Sequence, residues 1–173
     1  MFHSIILVRI SFHFISDVYS LLSMRHRGEF DFIVNSNVNI INCLRSVNND
    51  TLLMYTAFYT EEEVFDHLIN IPQDFAIVNN YKSNIIHQIA WSSKESMLIK
   101  ILKKTNVENL INKKDRNGNT PLHYAAFQNK HEMIRQLLLL GSDVNARNEK
   151  NELPDEQSEC DEVTKRLIQS RRW

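Results

Sequence analysis

Apolar positions along this chain fall into paired short stripes separated by polar connections. The clearest pair holds Leu122, Ala125 and Ala126, then Met133, Ile134, Leu137 and Leu138. Spacings of three and four residues place each set on one face of an α-helix. The same pattern stands upstream in Ile85-Ile86, Ile89-Ala90, Met97-Leu98 and Ile101-Leu102, and again in Leu52-Leu53, Ala57, Val64-Phe65 and Leu68-Ile69. Ala57 lies 33 residues before Ala90, and His87 lies 36 before His123. A recurring period of this length predicts a helix–turn–helix unit present three times, each burying its stripes against the next.

Punctuation between the stripes supports that reading. Thr120 stands where a first helix would be capped, and Pro121 occupies its first turn, where a missing N–H costs nothing. Gly118 suits a tight connecting turn, and Gly141 suits the end of the second helix. The upstream copies carry Lys82 and Asn49 in place of the turn glycine, and Ile85 and Leu52 in place of the proline. Their turns are therefore expected to be less regular. The three additional residues of the longer period fit within 105–114.

The run Asp115-Arg116-Asn117-Gly118-Asn119-Thr120-Pro121-Leu122-His123-Tyr124-Ala125-Ala126, continued by Gly141-Ser142-Asp143-Val144-Asn145-Ala146, resembles the ankyrin repeat. The resemblance is strongest over 115–147, with weaker copies at about 46–78 and 79–114. It implies an all-α ankyrin-repeat solenoid of stacked helix–turn–helix units with short hairpin fingers. The corresponding division is an N-terminal apolar extension at 1–27, capping helices at 28–45, three repeats at 46–147 and a C-terminal capping repeat at 148–173. In that last unit a shortened helix pair is expected, ending in Val163, Leu167 and Ile168. Polar Asp155, Glu156 and Glu159 would stand there at positions that no further repeat covers.

Composition narrows the class. Of 173 residues, 43% are hydrophobic and 24% charged, as in ordinary globular proteins. The net charge of -1 provides no global attraction for nucleic acid or an anionic membrane. Only three glycines and three prolines are present, too few for the turns of an all-β fold. Cys43 and Cys160 lie far apart with no His/Cys cluster, which argues against a disulfide framework or zinc site and for a reducing compartment, cytoplasmic, nuclear or both. Arg9, His13 and Asp17 interrupt the apolar run of the first 23 residues, which is too short for a membrane span of ~20 residues. An additional capping helix, or an extension ahead of a start at Met24, accounts for it.

Candidate chemistry is sparse. His131-Glu132 opens a zinc-protease signature, but Arg135 occupies the position of the second histidine. No nucleophile elbow, phosphate loop or paired carboxylates stand out. No catalytic residue, metal or cofactor is expected. The resemblance implies that His87 and His123 are structural, tying the threonine side chain and nearby backbone together. It also implies a concave binding surface made of the finger tips and the two positions after the alanine pair. Those positions are Phe58-Tyr59, Trp91-Ser92 and Phe127-Gln128, with Tyr55 and Tyr124 one turn earlier. The first column is aromatic in every unit, and exposed aromatic rows call for a partner. Arg116, Asn117, Asn119, Glu149 and Lys150 would form a mixed-charge polar rim. The expectation is a non-catalytic adaptor, monomeric on its own, that binds another protein on this face. Two alternatives of the same class remain: a regulatory fragment of a larger protein, or a proteasome-assembly chaperone built from such repeats.

Overall fold

In the computed structural model, residues 45–59 and 62–172 are described. Eight helices occur among them: α1 (Leu52–Tyr59), α2 (Glu62–Leu68), α3 (Ile85–Ser92), α4 (Glu95–Leu102), α5 (Glu108–Ile111), α6 (Pro121–Phe127), α7 (His131–Leu139) and α8 (Glu162–Gln169). The extension at 1–27 and nearly all of the expected cap at 28–45 lie outside the described residues.

The helices pair as α1–α2, α3–α4 and α6–α7. First helices stack in the order α1, α3, α6, while α4 packs on α7 and α7 on α8. The stacking follows from side-chain size. Ala57, Ala90, Ala125 and Ala126 are all fully buried, and a methyl group there lets adjacent first helices approach closely. Second helices contribute the bulk: Phe65, Met97, Leu98, Ile101, Met133, Ile134 and Leu137 are buried in one continuous core. The three additional residues lie in the α4–α6 connection as expected, where α5 adds a single turn that buries Leu110 and Ile111.

The fingers overturn one expectation: those lacking glycine are as regular as the one that has it. Each begins with a residue whose side-chain oxygen collects two backbone N–H groups. Ser46 Oγ accepts from Asn48 and Asp50, Asn79 Oδ1 from Tyr81 and Ser83, Asp115 Oδ1 from Asn117 and Asn119, and Asn148 Oδ1 from Lys150 and Glu152, at 2.8–3.1 Å. The fourth residue is left-handed throughout: Asn49, Lys82, Gly118 and Asn151 have φ of 63°, 58°, 75° and 63°. A side chain that satisfies the turn's backbone holds even Lys82 in this region.

Neighbouring fingers are joined by backbone bonds. Asn80 N donates to Asn48 O (2.8 Å), Arg116 N to Tyr81 O (2.7 Å) and Glu149 N to Asn117 O (2.9 Å). The result is a ladder running the length of the stack.

The last unit departs from the expected helix pair. Residues 154–159 form turns, and only α8 is helical. The small buried alanine of each earlier unit, Ala57, Ala90 and Ala126, is replaced here by Glu159, which cannot be buried against a neighbouring helix. Side chains bond the local backbone instead: Glu156 Oε2 accepts from Leu153 N (2.9 Å), and Gln157 Nε2 donates to Pro154 O (3.1 Å). Asp155 is not an outward polar residue as expected. It is buried, paired with Arg172 and accepting from Gln169 Nε2 (3.0 Å). Ile168 is the buried anchor of α8, Leu167 packs against the core, and Val163 is exposed.

Candidate functional site

The concave face lies between the first helices and the fingers. Its floor carries a column of aromatic rings. Phe58 and Trp91 have centroids 6.5 Å apart and planes within 7°, and Trp91 and Phe127 follow at 6.3 Å and 16°. The helical register after each buried alanine produces this column, because stacked units place equivalent positions side by side. Phe58 and Phe127 are 39% and 38% exposed, and Trp91 is half-buried. Neighbouring rings pack against the column. Tyr124 meets Trp91 edge-on at 5.7 Å and His87 at 5.8 Å, and Tyr59 meets Phe58 edge-on at 5.0 Å.

Two adjoining concavities of about 520 and 550 Å³ share Trp91, Tyr124 and Asn117 as their common wall. The first runs from Phe58 and Tyr59 to the first and second fingers. The second runs from Phe127 to Asn119, Glu149 and Lys150. Most of the residues singled out from sequence are therefore brought together. Three are not: Ser92, Gln128 and Arg116 line neither concavity. Ser92 Oγ turns back to Ile89 O (3.2 Å), and Arg116 is exposed on the third finger. Tyr55 contributes little open surface, being 9% exposed beneath Tyr59 at 4.4 Å.

Sequence reasoning missed Tyr81 and Val47 on the fingers and Gln88 on the floor, all of which line the first concavity. An apolar or aromatic residue at a finger tip was the available signal for Tyr81 and Val47. Gln88 sits one turn before Ser92, on the groove side of α3.

The polar groups of the site are mostly committed to structure. His123 Nδ1 accepts from Thr120 N (3.1 Å) and lies 2.9 Å from its hydroxyl, while Nε2 faces Glu152 O at 3.2 Å. His87 repeats the arrangement with Asn84 N (3.2 Å) and Asn119 O (3.1 Å). Each imidazole thus ties its own helix start to the following finger, as the resemblance implied. Burial lowers the His87 pKa to about 4 and lowers that of His123 as well. Tyr124 Oη donates to Asp115 Oδ2 at 2.6 Å, and burial together with that carboxylate raises its pKa. The buried Cys160 thiol is pushed up to about 11 by desolvation, far from a reactive thiolate. Among the described residues no group of three or more His, Cys, Asp or Glu could hold a metal ion, and no helix is long and apolar enough to cross a membrane.

A stack of helix pairs with a ladder of fingers and an open aromatic groove defines a repeat protein of the recognition class. The family model for ankyrin repeats matches residues 53–148 in three copies, and the chain belongs to this family. The nuclear factor NF-kappa-B p105 subunit of Rattus norvegicus is 25% identical over 113 residues, which are 65% of this chain and 12% of that protein. Ankyrin repeats generally mediate protein–protein interaction, and the family is typically non-catalytic.

Proposed function

We propose that this protein is a non-catalytic adaptor, monomeric on its own, that holds a segment of a partner protein in the concave groove. The observation that carries this reading is the column Phe58–Trp91–Phe127, near-parallel, partly exposed and bordered by two concavities. Aromatic side chains bring large contact area at small entropic cost, and they anchor protein interfaces out of proportion to their number. The fingers add a rim of mixed charge in Arg116, Glu149 and Lys150. We place the protein in the cytoplasm, the nucleus or both. The regulatory-segment reading is of the same kind, and it is favoured by a relative far longer than the stretch it shares with this chain. The proteasome-chaperone reading has no comparable support.

The test is affinity capture from native extract with the wild type and with the triple variant Phe58→Ala, Trp91→Ala, Phe127→Ala. Circular dichroism must report an intact helical fold for the variant. The expected result is a partner retained by the wild type and lost by the folded variant. A partner retained by both would move the interface away from the groove and make the rings simple packing.

A further inference from the structure

We infer that the first concavity, of about 520 Å³, is itself a binding site for a small organic cation that carries a quaternary ammonium group. The inference goes beyond the adaptor reading and does not depend on it. Its first support is the makeup of the lining. Six Phe, Tyr or Trp side chains stand there with the carboxylates of Asp50 and Asp115, and among the described residues no lysine or arginine joins them. His87 brings no opposing charge, because burial lowers its pKa to about 4. The neighbouring concavity is different: it has three such rings, and Lys150 lines it beside Glu149 and Glu152.

Ring geometry makes a cage of this lining. Phe58 and Tyr59 cross at 75° with centroids 5.0 Å apart, and Trp91 and Tyr124 at 81° and 5.7 Å. Planes so steeply inclined form corners, and a group seated in a corner meets the electron-rich faces of both rings. Phe58 and Trp91, 6.5 Å apart, join the two corners. A cation is attracted within about 6 Å of a ring centroid, so one ammonium group can engage several of these rings at once. Tyr81 lines the same concavity from the second finger, half exposed and without a ring contact to the floor among the described residues. Open space therefore separates the wall of the site from its floor.

The carboxylates select the kind of cation. Asp115 accepts from Asn117 N (2.9 Å), Asn119 N (2.8 Å) and Tyr124 Oη (2.6 Å). Asp50 accepts from Ser46 Oγ and Asn79 Nδ2, both at 2.7 Å. Every one of these donors is neutral, and neither carboxylate forms an ion pair among the described residues. Their negative charge therefore stays uncompensated, while the oxygens that an N–H donor would seek are already engaged. A primary ammonium entering the site would leave N–H groups unpaired, at a cost in desolvation. A quaternary ammonium has no N–H to satisfy and keeps its attraction to rings and carboxylates alike.

The test titrates the full chain with choline, with its uncharged isostere bearing carbon in place of nitrogen, and with ethanolamine as the primary amine. Heteronuclear NMR follows the backbone amides. The expected result is a saturable shift with choline in residues 79–83 and 88–91, and affinities at least about tenfold weaker for the other two probes. Tyr81→Leu, which removes one ring from an exposed finger tip, should weaken choline by about threefold in a variant that circular dichroism shows to be folded. Capped trimethyllysine is run beside choline: whichever binds tighter assigns the cation to a modified protein side chain or to a free metabolite, and either supports the site. Equal affinity for choline and its isostere would make the concavity merely apolar and overturn the inference. Ethanolamine binding as tightly as choline, shifts confined to residues 148–152, or no saturable shift would overturn it as well. Failure with these small probes leaves capture of a partner protein untouched, so the two readings fall separately.

Discussion

Gly118 and Gly141 share a left-handed backbone, with φ of 75° and 86°, but not an environment. A Cβ at Gly118 would meet Glu149 N at 2.8 Å and Asn148 Cα at 3.0 Å, backbone atoms of the next finger that cannot step aside. A Cβ at Gly141 would meet nothing within 4 Å. Gly141→Ala should therefore cost only the conformational term of about 1 kcal/mol. Gly118→Ala adds a steric term and should cost on the order of 2–4 kcal/mol. Urea midpoints of the two variants check this, and equal losses would mean that the fingers are not held as tightly as the ladder implies. His87 gives a second prediction. Its pKa is lowered from 6.5 to about 4, mainly by desolvation and against the pull of the Asn119 carbonyl. Between those values the unfolded chain takes up a proton that the folded chain refuses. The stabilisation is complete above pH 6.5 and lost as pH falls toward 4, by on the order of 3 kcal/mol. His87→Met, which installs the residue standing at the equivalent Met54, should flatten the decline in stability between pH 7 and 4.5. An unchanged slope would assign the acid sensitivity to other groups, His123 first.

At the scale of elements, the alanine pair controls how first helices meet. Ala126 is fully buried, and the α8 segment reaches it through Cys160, whose Sγ lies 3.6 Å from the Ala126 carbonyl. Ala126→Leu forces extra methylenes into this contact and should destabilise by about 1–3 kcal/mol in denaturant unfolding. A midpoint matching the wild type would place Ala126 outside the repeat interface. The convex side is joined by different means. Glu62 of α2 faces Lys94 (3.7 Å) and Ser96 (2.8 Å), Asp66 pairs with Lys100, and Lys104 Nζ reaches Asn70 at 2.8 Å. These pairs are largely solvated, so each contributes well under about 1 kcal/mol, and the apolar stripes beneath carry the packing. Asn129 does more. Left-handed at φ 52°, it donates to Glu159 O (2.7 Å) and accepts from Asp161 N (2.8 Å) and Thr164 Oγ1 (3.0 Å), fastening α8 to the third unit.

For the whole molecule, a stack holds together unit by unit, because each unit touches only its neighbours. The α8 segment is fastened by Arg172, which pairs with buried Asp155. Arg172→Ala leaves that carboxylate with Gln169 alone and should cost about 1–3 kcal/mol. Hydrogen exchange should quicken first in residues 153–170. Uniform acceleration through α1 would instead mean that the stack opens as one body.

The sequence by itself determined the repeat. Pro121 at a helix start, glycine at two turns and single alanines recurring at Ala57, Ala90 and Ala126 act through local backbone preference and side-chain size, so they can be read without coordinates. It also placed the aromatic column, because equivalent positions of stacked units must adjoin. Tertiary structure decided what depends on distant partners. Each finger is shaped by its own Ser46- or Asn79-type side chain, but only tertiary structure joins one finger to the next across some 32 to 35 residues, as in Asn80 to Asn48 and Arg116 to Tyr81. Asp155 is buried because Arg172 arrives from 17 residues away. Gln88, Tyr81 and Asn117 become one groove only when three units stand side by side. Local propensity fixes the unit; long-range packing fixes which of its polar groups are consumed and which remain to meet a partner.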